Sequence, residues 1–138
     1  MLRVLAQRLV RKLCSECKEK SAPTEKELII INPIAQSIKK KRGISLDLSG
    51  IWRTKKTKED CEKCGGLGYI GRIGIFEGII TNDSIEKVIV ASNPSEREIR
   101  KASVDQNILE MREDGLIKVL NGVTSLEELT HIIDLGEE

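Results

Sequence analysis

Cys61-Glu-Lys-Cys64-Gly-Gly-Leu-Gly-Tyr69 decides how this chain is read, because a second pair of the same spacing, Cys14-Ser-Glu-Cys17, stands upstream with 43 residues between them. A Cys-x-x-Cys pair on a tight turn can aim two thiolates at one point. Two such pairs supply the four soft ligands that tetrahedral zinc takes. The glycines after Cys64 let the backbone turn sharply without side-chain clash, as in a zinc knuckle. Two disulfides would need an oxidising compartment, and no signal peptide is apparent. Redox catalysis by one pair would need a neighbouring βαβ unit, and none is predicted. The expectation is one structural zinc ion on Cys14, Cys17, Cys61 and Cys64.

Upstream of the first pair, Leu2, Leu5, Leu9 and Leu13 with Val10 form a stripe at helical spacing that runs into Cys14. It predicts a structural helix entering the metal site. The same segment is Arg-rich and free of acids, as an organelle transit peptide is, but lacks the serines of that class. Between the pairs, Thr24-Glu-Lys-Glu27 has capping-box spacing before Leu28-Ile-Ile-Ile31, predicting a short helix that stops before Pro33. Residues 32–58 lose periodicity and read as a long loop or irregular insertion. Its basic patch, Lys39-Lys-Lys-Arg42 to Arg53, Lys55, Lys56 and Lys58, offers a weaker second reading: a free-standing zinc protein contacting nucleic acid. Only Trp52 within the patch could stack on a base.

After the second pair, Arg72-Ile-Gly-Ile-Phe-Glu-Gly-Ile-Ile80 reads as an extended segment that Tyr69-Ile70 could join in a short ribbon. From residue 83 the signals are helical. Asp83 or Ser84 can cap a helix through Val90, and Ser95-Glu-Arg-Glu98 a second through about Gln106. A third carries Leu109, Leu116, Val119 and Leu120 and ends at Asn121-Gly122, and a fourth starts at Ser125-Leu-Glu-Glu128. The fold class predicted is α+β, mainly α: a tetracysteine zinc subdomain with a small β ribbon, then a compact helical bundle.

Other motifs exclude more than they suggest. Gly66-Leu-Gly-Tyr-Ile-Gly71 matches the dinucleotide-binding string but follows a knuckle instead of a strand. One Cys-x-x-Cys-x-Gly-x-Gly string also occurs, repeated, in J-domain co-chaperones, but here it is single. The sequence holds no G-x-x-x-x-G-K-[ST] phosphate loop, so it offers no nucleotide site of that kind. His131, the single histidine, is expected to be exposed near the end of the last helix. The adjacent acids Glu113-Asp114 and Glu127-Glu128 suit surface charge and capping. No apolar run is long enough to span a bilayer, and a net charge of +1 exerts no global pull on polyanions. No catalytic residue is expected.

Taken together, three ordered blocks resemble the C-terminal part of the type II secretion and type IV pilus assembly ATPases, the general secretory pathway E-like family. They are Gln7-Arg-Leu-Val-Arg-Lys-Leu-Cys14 with Cys17; Cys61-x-x-Cys64-Gly-Gly-x-Gly-Tyr69 through Gly71-Arg-x-Gly-Ile-Phe-Glu77; and Arg112-Glu-Asp-Gly-Leu-x-Lys118 with Gly122-x-Thr-Ser-Leu-Glu-Glu128. The resemblance implies three parts: residues 1–13 as the edge of a RecA-like motor core, 14–80 as the tetracysteine zinc subdomain with a basic insertion and ribbon, and 81–138 as the helical C-terminal domain. It also implies a fragment of a cytoplasmic hexameric motor, peripheral to the inner membrane. Its partners would be upstream motor domains, neighbouring protomers and membrane platform proteins, with ATP bound only in the parent. The interval between the pairs is longer than that family suggests, and Asn107 stands where a glycine is usual.

Overall fold

The computed structural model describes residues 3–56, 59–80, 87, 98, 101, 106 and 108–135, and the side chains of 3, 4, 79 and 80 are not among what is described. Two antiparallel two-stranded sheets and three helices make up the described part, a mixed α+β fold. Strand β1 (Arg3–Leu13) pairs with β4 (Tyr69–Ile80), and β2 (Lys18–Ser21) pairs with β3 (Ile51–Thr54). Helix α1 (Glu25–Arg42) connects β2 to β3, while α2 (Met111–Leu120) and α3 (Leu126–Ile132) are the last helices among the described residues.

The first segment is therefore a strand and not the predicted helix. Its apolar residues fit both periods, and pairing with β4 decides between them. Val10 faces the core beside Ile75, both fully buried, whereas Leu5 and Leu9 lie on the other face and remain exposed. Nor does β4 fold back on itself at Gly71. It runs unbroken from Tyr69, and its partner is β1.

The insertion, expected to be a loop from residue 32, is folded too. Helix α1 starts where the capping box places it: Glu27 donates its N–H to Thr24 Oγ1, and Thr24 donates its own to Glu27 Oε1. It then passes through Pro33, burying Ile31, Ile34, Ala35 and Ile38 at i, i+3, i+4 and i+7. Proline removes the donor for the Ile29 carbonyl. That turn faces solvent, with Ile29 and Pro33 both exposed, so water can replace the lost bond. The helix ends at Gly43, whose left-handed φ of 68° lets its N–H reach Lys39 O.

In the tail, α2 ends as predicted at Asn121-Gly122, and α3 is capped by Ser125, whose Oγ accepts the Glu128 N–H. The two predicted helices before them fall within residues 81–107, of which only 87, 98, 101 and 106 are described; Asn107 also lies outside the described residues. Helices α2 and α3 do not form a bundle of their own among the described residues. They join Val10, Ile31, Ile34, Ile38, Ile51 and Ile75 in one aliphatic core through Leu116, Val119, Leu126 and Leu129. A side-chain carbon at Gly115 would lie 2.5 Å from Leu129, so the absence of one is what lets α2 and α3 approach.

Candidate metal centre

Each half of the centre is a tight turn held at the end of a β ladder. At the first, Cys17 and Lys18 donate their N–H groups to Cys14 O at 3.1 and 3.0 Å. At the second, Gly65 bonds Cys61 O at 3.0 Å and Gly68 donates to the Cys64 sulfur at 3.2 Å. Gly65, Gly66 and Gly68 have φ of 65°, 85° and 84°, the left-handed region that makes glycine the fitting residue there.

The ladders bring the turns together. In β1–β4, Leu13 stands across from Tyr69, and Cys14 donates to Gly68 O at 2.9 Å. In β2–β3, Lys18 stands across from Thr54, and Lys55 donates to Cys17 O at 2.7 Å. The 43-residue excursion thus returns to its starting point before the second pair begins. Lys63 Nζ adds a bond to Ser15 Oγ at 2.6 Å between the two turns.

All four sulfurs lie within 4.8 Å of one another, with Cys14–Cys61 at 3.8 Å and Cys17–Cys64 at 3.6 Å. A tetrahedron with zinc–sulfur bonds of about 2.3 Å has edges of about 3.8 Å, so the set fits and could hold such an ion. Cys14, Cys17 and Cys64 are buried and Cys61 is partly open, beside a cleft of about 460 Å³ bordered by Glu16, Lys55, Glu59, Asp60 and Glu62. The thiols are not equivalent. The contact with Cys61 and then burial push Cys17 up to about 12. Burial opposes ionisation of Cys64, yet the Gly68 amide, Cys61, Cys17 and the Gly66 amide bring it down to about 6.

Behind the centre lie polar ties that the sequence reading missed. Glu128, expected at the surface, is buried. It accepts the Arg11 backbone N–H at 2.8 Å, and the Arg11 guanidinium bonds its other oxygen at 3.0 and 2.9 Å. Burial alone would raise the carboxyl, but Arg11 holds it below the usual carboxylate range. Tyr69, which follows the knuckle, shares a 2.6 Å hydrogen bond with Ser125 and carries the Arg11 guanidinium over its ring. Glu113 is buried as well: it does cap the Glu110 N–H as expected, but it also accepts from Lys41 Nζ at 2.6 Å. His131 is exposed, as expected.

The basic patch is divided by the fold. Lys41 turns inward to Glu113, and Arg53 pairs with Glu27 at 3.0 Å. Lys39, Lys40, Arg42, Lys55 and Lys56 are exposed, while Lys58 lies outside the described residues. Trp52 is half-buried, with Lys18 Nζ 4.8 Å from its ring centre and Gly122 beside Lys18 against the ring. The string from Gly66 leads into β4 and not into a helix, so it lacks the geometry of a dinucleotide site.

Residues 1–131 match the sequence profile of the family described as Type II/IV secretion system protein. The chain belongs to that family. Among curated members of this secretion family, it is 36% identical over 130 residues to the type IV pilus assembly ATPase of Thermus thermophilus, an alignment covering 94% of this chain and 13% of that protein. It is 35% identical over 135 residues to the type II secretion system ATPase E of Vibrio cholerae, covering 96% of this chain and 23% of the relative. The pilus assembly ATPase of Pseudomonas aeruginosa is 30% identical over 129 residues, with 94% and 20% covered. The chain thus spans less than a quarter of the length of these relatives. No helix among the described residues is long and apolar enough to cross a membrane.

Proposed function

We propose that this chain is a zinc-stabilised structural and interaction module of a hexameric ATPase that powers type II protein secretion or type IV pilus assembly. The observation that carries the reading is the convergence of four sulfurs at the ends of two ladders, in a chain whose relatives are named as those ATPases. Cys14, Cys17, Cys61 and Cys64 hold one zinc ion, which clamps the base of the 18–60 excursion. In this reading the chain performs no chemistry: ATP is bound and hydrolysed by upstream parts of the motor. Residues 1–13 form the edge of that motor core, 14–80 the zinc subdomain and 81–138 the helical C-terminal domain. Neighbouring protomers and inner-membrane platform proteins are its partners on the cytoplasmic side.

Elemental analysis with thiol counting tests this directly. One zinc per chain, with four thiols that become reactive only after chelation, is the expected result. A purified chain without metal whose four thiols react at once would overturn the zinc assignment. ATP turnover that survives repurification of the isolated chain would overturn the division of labour.

A further inference from the structure

The four sulfurs differ in what can reach them. Cys14, Cys17 and Cys64 are 1%, 3% and 7% exposed, and the Cys64 sulfur also accepts the Gly68 N–H at 3.2 Å. Cys61 is the partly open member, and Glu16 Oε2 on the border of the cleft lies 3.9 Å from its sulfur. A cleft of about 460 Å³ has room for a small oxidant beside that sulfur. On its border the carboxylates of Glu16, Glu59, Asp60 and Glu62 outnumber the single ammonium group of Lys55. A rim of that sign admits a small neutral molecule and holds off anions. Cysteine oxidation follows thiolate character and access, and a metal-ligating thiol is already deprotonated.

The sulfur closest to hand for Cys61 belongs to the other turn. Cys14 Sγ lies 3.8 Å from Cys61 Sγ, and Cys17 Sγ lies 3.6 Å from Cys64 Sγ. An S–S bond is about 2 Å long, so closing the first gap takes a shift of about 2 Å. The backbone keeps the two turns side by side meanwhile, because Cys14 donates its N–H to Gly68 O at 2.9 Å and Lys55 donates to Cys17 O at 2.7 Å.

We propose that Cys61 is a site of reversible oxidation by hydrogen peroxide, with Cys14 as its resolving thiol, so that a disulfide between the turns takes over the clamp from the metal. The inference rests on the zinc reading above and adds a second, covalent state of the same quartet. The Cys61 thiolate attacks one peroxide oxygen as the O–O bond breaks, giving Cys61 sulfenic acid and hydroxide. The Cys14 thiolate then attacks Cys61 Sγ, forming the S–S bond and expelling a second hydroxide. The two thiolates together give up two electrons, which peroxide takes. With two of its four thiolates consumed, the quartet no longer holds the ion, and Cys17 and Cys64 are the pair left for a second peroxide. The bond joins the same two turns that the metal joined, so the base of the 18–60 excursion stays shut. Pairing within each turn, Cys14 with Cys17 and Cys61 with Cys64, would do the opposite and leave the turns unlinked. A dithiol reductant attacks the open Cys61 sulfur and returns both thiolates.

The test treats the zinc-loaded chain with one equivalent of hydrogen peroxide. Metal release is read with a chromogenic indicator, and disulfides are mapped by mass spectrometry after alkylation. Zinc release in step with a Cys14–Cys61 disulfide is the expected result. Amides of the β2–β3 ladder should stay protected in the oxidised chain, and exchange roughly 10-fold or more faster in the chelated, reduced one. Cys61→His keeps a nitrogen ligand for zinc, and peroxide-driven release should slow about 10-fold or more. In Cys14→His, dimedone should trap the sulfenic acid on Cys61. A first disulfide within either turn would overturn the proposal, as would a zinc-loaded Cys61→His chain that releases metal as fast as the natural one. If either variant fails to fold, the disulfide map of the natural chain decides alone. A chain purified without metal that still forms Cys14–Cys61 first would sink the zinc assignment and leave the oxidation site standing. A zinc-loaded chain whose thiols resist peroxide would sink the oxidation site and leave the zinc assignment intact.

Discussion

The cysteine end and the aliphatic core hold this chain together by different means. Cys14, Cys17, Cys61 and Cys64 pack on one another in a cluster apart from the core. Four side chains there join two turns. The core spreads its contacts over β1, α1, β3, β4, α2 and α3, so no single side chain is decisive. A small domain gains cooperativity from the first device and tolerance from the second. The two should therefore fail separately, and in different order under different insults.

Chelation is the strongest insult. In the proposed reading the quartet holds zinc, and structural zinc contributes on the order of 10 kcal/mol in isolated zinc-finger peptides. From the sequence alone, metal loss would be expected to unfold residues 14–80 and spare the tail. The core changes that expectation, because α1 lies inside that span yet buries Ile31, Ile34 and Ile38 against the same core as Leu116 and Leu129. Chelation or Cys61→Ser should free the turns and the β2–β3 ribbon first, while the amides of α1, α2 and α3 stay protected. Hydrogen exchange after chelator addition checks this. Simultaneous loss of all three helices would show that the metal supports the core and that the separation is false.

The converse insult is Ile34→Ala. A fully buried isoleucine cut to alanine costs about 2–5 kcal/mol through lost burial and the cavity left. Denaturant unfolding followed by circular dichroism should register that loss in the helices. The thiols should remain unreactive to moderate denaturant, since no aliphatic side chain belongs to the cysteine cluster. Thiols that become reactive in step with the helical signal would merge the two regions into one cooperative unit.

What the sequence disclosed divides along the same line. The cysteine quartet was legible because the pairs carry their geometry in local spacing and in the glycines that follow. The caps at Thr24 and Ser125 were legible for the same reason: each needs only a partner three residues on. Long-range decisions were not. The leucines before Cys14 fit a helix until β4, some sixty residues later in the chain, supplies the ladder that makes them a strand. Glu128 reads as a surface acid beside Glu127 because its partner Arg11 lies 117 residues away. The start of α1 was legible from its cap, but Pro33 hid the rest of it by the usual rule that proline ends a helix, which fails when the freed carbonyl faces water.

The Arg11–Glu128 pair ties α3 to the strand that enters the first cysteine turn, and so links the two regions. Arg11→Ala leaves the buried carboxylate with only a backbone donor and should cost about 1.5–3 kcal/mol, toward the lower end because Arg11 is half-exposed. The pH dependence has a definite sign. Arg11 depresses the folded-state pKa of Glu128, so the pair's contribution is fully present above the ordinary carboxylate range. It is lost as pH falls through that range to the depressed value. Melting temperatures of the parent chain should fall over that acid window, and the Arg11→Ala profile should be flatter there. Parallel profiles would assign the acid sensitivity elsewhere, with Glu27, also depressed, once Arg53 and Thr24 outweigh its burial, the next group to examine.

Thr24→Ala is the mildest test of whether the regions communicate. Thr24 is exposed, and its hydroxyl accepts one N–H at the start of α1, so its loss should cost about 1 kcal/mol. Glu27 keeps its Arg53 partner in the variant, which limits fraying to the first turn. That turn leads directly from β2, the strand that leaves Cys17, and it lies beside β3, the strand that returns toward Cys61. If the excursion is rigid, loosening its first helical turn should raise the rate at which a chelator extracts the metal, read as thiol release over time. If the clamp is local to the turns and their ladders, that rate should be unchanged while the melting temperature still drops. The second outcome is expected, because both ladders reach the cysteines through backbone bonds that do not involve α1.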